Sequence, residues 1–178
     1  ASGVRLFTRS QNGFLAPYAM LPDGSTVNLF RTNLITARNA SGGAIGSGVA
    51  VSITGSVGQT ATLGPSSQAT LLTAPCVGLT LDATANNGFG RVITVGRVSG
   101  IDTSAWSEGD PLYVSDTDGV LTNVRPTSGN IQRIGIVGNS HSTQGVIEVD
   151  TQSVLENLDG RFDAKADLVG GKIVTSQI

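Results

Sequence analysis

Three groups of side chains in this chain have the types that could do chemistry. The single histidine, His141, lies in Asn139-Ser140-His141-Ser142, while Asp102 and Ser104 stand together in Gly100-Ile101-Asp102-Thr103-Ser104. Serine, histidine and aspartate make a nucleophilic relay wherever folding assembles them, whatever their order along the chain. Ser104 lacks the strand-turn-helix glycine context of a nucleophile elbow, and His141 reads as an exposed loop residue. Glu108 and Asp110 are a carboxylate pair, but glycoside hydrolysis needs a defined gap between its two carboxyl groups, and adjacency in one turn is no sign of that gap. Asp110, Asp116 and Asp118 could offer oxygen ligands to Ca²⁺; the closing glutamate and spacing of an EF-hand are missing, and Asp-rich turns are more often only turns.

Metal and phosphate chemistry have even less support. One Cys and one His cannot supply the usual zinc set. The segment Ser41-Gly42-Gly43-Ala44-Ile45-Gly46-Ser47-Gly48 resembles a phosphate-cradling loop only in its glycines, because no Lys-Ser or Lys-Thr pair follows. It reads as a tight turn between strands. The expectation is a protein that is not an enzyme, with no catalytic residue, no metal ligand and no cofactor.

Composition points the same way. Charged residues are 13% of the chain, against about 25% in ordinary globular proteins, and glycine occurs 24 times. The surface must therefore be built largely from Ser, Thr, Asn, Gly and Ala, a composition suited to close packing and assembly. The net charge of −2 and the absence of any run of Lys or Arg remove the electrostatic footprint of nucleic-acid binding. No stretch approaches the ~20 apolar residues needed to span a bilayer, so no membrane partner is expected. No basic start followed by an apolar run marks a signal peptide. Cys76, between apolar neighbours in Thr73-Ala74-Pro75-Cys76-Val77-Gly78, reads as a small buried hydrophobe.

The elements that would position these groups are short strands. Cys76 to Leu81, Gly90 to Val98, Pro111 to Val114, Gly119 to Asn123, Gln132 to Val137 and Gly145 to Val149 are separated by turn residues such as Asn86-Asn87-Gly88 and Asp116-Thr117-Asp118-Gly119. Roughly ten-residue spacing of short strands predicts an all-β fold, a small antiparallel β-barrel or sandwich, over residues 32–149. Asn33 to Ala37 and Gly48 to Ile53, flanking a Ser/Gly turn, predict a hairpin. Residues 54–69 lack periodicity and read as a loop or a pair of weak edge strands. Trp106, just before Gly109-Asp110-Pro111, reads as a hydrophobic plug at one end of the domain.

The two ends differ from this body. Residues 1–31, with Pro17, Pro22 and the turn Pro22-Asp23-Gly24, read as an irregular N-terminal arm. Residues 150–168 place Leu155, Leu158 and Phe162 at i, i+3 and i+7, the spacing of a heptad seam, and predict a short C-terminal helix. Such a helix is too short to stand alone in water, and Gly160 weakens it, so copies of it are expected to associate. Residues 169–178 read as an extended linker to a further region beyond Ile178.

Several segments resemble a known family. Asn33 to Ile53 (NLITARNASGGAIGSGVAVSI), Cys76 to Pro126 with its GIDTSAWSEGDPLYVS, and Ile134 to Asn139 (IGIVGN) resemble a module of tailed-bacteriophage virion fibre proteins. The carrying motifs are an RN-x-[ST]-G turn at Arg38-Asn39-Ala40-Ser41-Gly42, a G-[IL]-[DN]-T step at Gly100-Ile101-Asp102-Thr103, and Gly109-Asp110-Pro111-Leu112-Tyr113-Val114-Ser115. The final ADLVGGKIVTSQI is similar to a tail-fibre linker. The RN-x-S-G turn and the GDPLYV strand also resemble, more weakly, small capsid-decoration proteins of phages. Residues 1–31 match neither.

The resemblance implies a structural virion protein assembled in a bacterial host's cytoplasm: the proximal part of a homotrimeric tail fibre. Its partners would be two further copies of itself and another virion protein, a tail or baseplate adaptor or a capsid protein, gripped by residues 1–31. A head fibre or capsid-decoration protein is the first alternative. The second is a host-glycan-binding module using Trp106 and Tyr113 as its contacts, and a glycan depolymerase built on Glu108 and Asp110 is the third.

Overall fold

The computed structural model describes residues 3–11, 14–22, 24–29, 33–69, 75–127, 130–151, 167–169 and 172–174. Among them the protein is all-β, with no helix. Three strands come first: β1 (Arg5–Gln11), β2 (Phe14–Met20) and β3 (Thr26–Asn28), paired antiparallel in that order. Residues 1–31, expected to be irregular, therefore contain a small sheet. Pro17 obscures it in the sequence, yet Pro17 pairs with Thr8 and its carbonyl accepts Leu29 N at 3.1 Å. Phe7 lies opposite Tyr18, their rings stacked at 5.9 Å. The turn into β3 closes with Gly24 N on Leu21 O at 2.9 Å, Gly24 sitting at φ +83°.

The body of the protein is a nine-stranded sheet. Its strands are β4 (Asn33–Asn39), β5 (Ala50–Val57), β6 (Thr60–Pro65), β7 (Cys76–Thr80), β8 (Phe89–Ile101), β9 (Pro111–Val114), β10 (Leu121–Thr122), β11 (Arg133–Asn139) and β12 (Gly145–Asp150). They lie in the order β10-β9-β11-β12-β8-β4-β6-β5-β7, and β7 also pairs with β8. The pairings β8-β4-β6-β5-β7 thus return to β8, where Ile93 lies opposite both Leu34 and Leu79.

Two expectations are corrected here. The predicted hairpin between Asn33–Ala37 and Gly48–Ile53 does not form: β4 pairs with β6 and β8 instead. The linking segment 40–49 crosses to a neighbouring loop, where Ile45 and Thr84 exchange backbone bonds of 2.9 and 2.7 Å, so its amides are used away from β4. Residues 54–69 are structured in part: 54–57 complete β5 and 60–65 form β6, whose Thr62 and Leu63 lie between β4 and β5, while the remaining pairs of the two strands have open edges. Since β5 runs antiparallel to β6 after the crossover, β6 comes to lie parallel to β4, the one parallel pairing in the described sheets.

Successive side chains of a strand point to opposite faces, and β8 buries both. Val92 (0% exposed) belongs to one apolar cluster with Ala37, Val51 and Leu63, while Ile93 (1%) belongs to a larger one with Leu79, Leu112, Ile134 and Ile147. Glycines permit the closest approaches: a Cβ on Gly78 would meet the Ile93 carbonyl oxygen, and one on Gly135 the Glu148 carbonyl oxygen. The predicted helix over 150–168, including Leu155, Leu158 and Phe162, lies outside the described residues between 152 and 166. Beyond it, β13 (Asp167–Val169) pairs with β14 (Lys172–Val174).

Candidate functional site

The groups singled out for chemistry are found in turns, and Asp102, Ser104, Asp110 and His141 are engaged there. After β8, Asp102 Oδ1 accepts Ser104 N at 2.9 Å and Ser104 Oγ at 2.7 Å. Those bonds, the hydroxyl first and the amide second, hold the Asp102 carboxyl below its ordinary pKa. The His141 ring turns into its own loop, where Nδ1 accepts the amides of Thr143 and Gln144, each at 3.0 Å. That engages Nδ1 within its own loop and leaves Ser104 committed to an aspartate, whereas a relay requires the serine on the histidine and the histidine on the aspartate. What joins the two loops is Thr103, which is fully buried. Its Oγ1 donates to Asn139 O at 2.7 Å and accepts His141 N at 3.1 Å.

The carboxylates behave likewise. Asp110 Oδ2 accepts Ser107 N at 3.0 Å and Asn123 Nδ2 at 2.9 Å, and these two bonds, in that order of strength, lower its pKa. Glu108 is exposed beside it. Asp116 and Asp118 are exposed as well, and Asp116 gives its backbone oxygen to Ser67 Oγ at 2.9 Å. Among the described residues no three His, Cys, Asp or Glu side chains form a group that could hold a metal ion.

The glycine-rich loop is also committed internally. Gly42 N bonds Asn86 Oδ1 at 3.2 Å, Gly48 N bonds Thr80 O at 2.7 Å, and Val49 N bonds Thr80 Oγ1 at 3.0 Å. At its start sits Asn39, 1% exposed, with both amide hydrogens donated and its carbonyl oxygen accepting from Ser41. Nδ2 donates to Gly43 O at 2.8 Å and Thr84 O at 3.0 Å; Oδ1 accepts Ser41 N at 2.9 Å and Ser41 Oγ at 2.8 Å. Arg38 Nη2 reaches Asn87 Oδ1 at 3.0 Å across the same junction, and Asn87 takes φ +63°, which asparagine tolerates better than most residues. The RN-x-S-G motif is thus a fastening between loops 40–48 and 82–88.

The two aromatic candidates part company. Trp106 is half-buried and packs against the larger core cluster, its backbone held by Thr103 O and Ser140 Oγ. Tyr113 is only 5% exposed, between β10 and β11, so its ring has no face to offer a sugar. Cys76 is buried, and loss of hydration pushes its thiol up to about 11. Sequence reasoning passed over Asn39 and Thr103 as working residues. Only part of their signal was local: an Asn two residues before a Ser can accept its amide, as Asn39 does from Ser41, whereas Thr103 bonds Asn139 and His141, more than thirty residues away.

Compared with protein-family models and with curated proteins, the chain matches none.

Proposed function

We propose that this chain is a structural virion protein, the proximal anchoring part of a homotrimeric tailed-phage tail fibre. In this reading the ring of strands β8-β4-β6-β5-β7 is a small barrel that transmits load, residues 1–31 grip a neighbouring virion protein, and any host-binding function lies elsewhere. The sequence motifs that resemble phage fibre modules lead to the reading. The observation that carries it is how those motif residues are used: Asn39, Ser41, Asp102, Thr103, Ser104 and Asp110 spend their polar atoms on backbone and neighbouring loops. A body built this way resists deformation and presents little polar chemistry to a substrate, which suits a mechanical part.

Immunogold electron microscopy of intact particles, with an antibody raised against residues 1–178, tests it. Label at the tail or baseplate is expected. Label over the capsid would make the same chain a head fibre or decoration protein, and particles without label would refute the virion reading.

A further inference from the structure

Strands β5 and β6 leave the body of the sheet together. β7 pairs only with Ala50, Val51 and Ser52 of β5, and β4 only with Thr62 and Leu63 of β6. Among the described residues, 53–61 therefore have no sheet partners outside β5 and β6 themselves. Burial follows the same boundary: Ala50, Val51 and Ser52 are buried, and every residue from Ile53 to Gln59 is exposed. A strand with one covered face alternates in burial; β5 from Ile53 onward does not, so both of its faces are open there, while Ala61 of β6 is half-buried against the smaller apolar cluster. Ile53 is 49% and Val57 53% exposed.

A two-stranded ribbon with both faces in water is marginally stable. Edges left open are ordinarily guarded by lysine, proline or a bulge. Here the register shift at Thr54 is the one such device, and no Lys, Arg, Asp or Glu occurs anywhere between Arg38 and Asp82. A surface without charge gives a charged partner nothing to pair with. It does suit contact between identical chains, each of net charge −2, because like charges are kept out of the interface.

We infer that the β5–β6 ribbon is a surface through which copies of this chain pack on one another, with Ile53 and Val57 covered in that contact. The inference locates a contact between the copies that the proposed function already assumes, and to that extent rests on that reading, though not on where the protein sits on a particle. It also places a copy-to-copy contact in the sheet body, separate from the Leu155, Leu158 and Phe162 stripe.

The test is sedimentation equilibrium on the full chain, the parent against Ile53→Asp/Val57→Asp. The parent is expected to sediment as an oligomer and the double variant to dissociate roughly 100-fold or more readily, with unchanged far-ultraviolet circular dichroism. A parent that stays monomeric at high concentration overturns the inference, as does a variant that keeps the parent's mass. If Leu158→Asp alone abolishes the oligomer while Ile53→Asp/Val57→Asp leaves it intact, the copies meet at the C-terminal stripe and the inference falls.

Should the double variant misfold, Val57→Cys carrying an environment-sensitive dye gives a second readout, since buried Cys76 does not compete for label. Its emission should move to the red as dilution separates the copies. Emission that stays constant while the mass falls would overturn the inference. None of these readouts depends on where the protein sits on a particle, so failure here and failure of the virion reading are distinguishable.

Discussion

Replacing Asn39 by aspartate exchanges one NH₂ for an oxygen and changes almost nothing in shape. The exchanged atom is the one that donates to Gly43 O at 2.8 Å and Thr84 O at 3.0 Å, so an ionised carboxylate would face two carbonyl oxygens at a site 1% exposed. The variant escapes this by taking up a proton. Protonating a carboxyl of ordinary pKa ~3.9 at pH 7 costs about 4 kcal/mol. The new O–H then serves one carbonyl and the other loses its donor, about 1 kcal/mol more. The loss is therefore capped near 5 kcal/mol at pH 7 and shrinks to about 1 kcal/mol at pH 4.

The sign follows from linkage. Folding raises this carboxyl's pKa, so the stability it permits is fully present below the unfolded-state pKa and is lost as pH rises through the folded-state value. For a body spanning residues 33–150, about 4 °C of Tm corresponds to each kcal/mol. Differential scanning calorimetry of Asn39→Asp, with the parent's own pH dependence subtracted, should show a deficit of roughly 20 °C at pH 7 and roughly 4 °C at pH 4. A variant as stable as the parent at pH 7, or equally weakened at both pH values, would refute the fastening role given to Asn39.

Other perturbations separate the two faces and the junctions of the sheet. Ile134→Ala should cost about 3 kcal/mol in urea unfolding and Ile136→Ala under about 0.5 kcal/mol, since Ile134 is fully buried and Ile136 is 42% exposed on the same strand. Gly135→Ala drives a methyl group against the Glu148 carbonyl and should destabilise by at least about 2 kcal/mol, whereas Gly43→Ala, with open space around it, should be tolerated; chemical denaturation checks both. Thr103→Val should cost about 1–3 kcal/mol and speed hydrogen exchange at the His141 amide, which loses its Oγ1 acceptor. Cys76 should resist a thiol reagent at pH 8 until the protein unfolds. Its thiol, raised from an ordinary 9.0 to about 11, should lower stability as pH climbs through that interval, because the neutral form favoured by the fold is then lost.

Much of this protein was readable from local chemistry. Gly/Asp/Asn punctuation between β-branched runs marked β7, β8, β9, β11 and β12 to within a few residues, because turn residues act on their own backbone and need no distant partner. The low charge was also visible in composition alone. Pairing was not legible. Whether β4 takes β5 or β6 as its neighbour depends on Ile45 meeting Thr84 and on Asn39 bridging to Thr84, contacts between residues about forty positions apart that no local pattern encodes. The same holds for Tyr113, whose aromatic ring looks available in sequence and is buried in the fold. The ribbon at 53–61 is the sharpest case: its uncharged residues are written in the sequence, but that they stand clear of the sheet is decided by where β4 and β7 stop, a property of tertiary register.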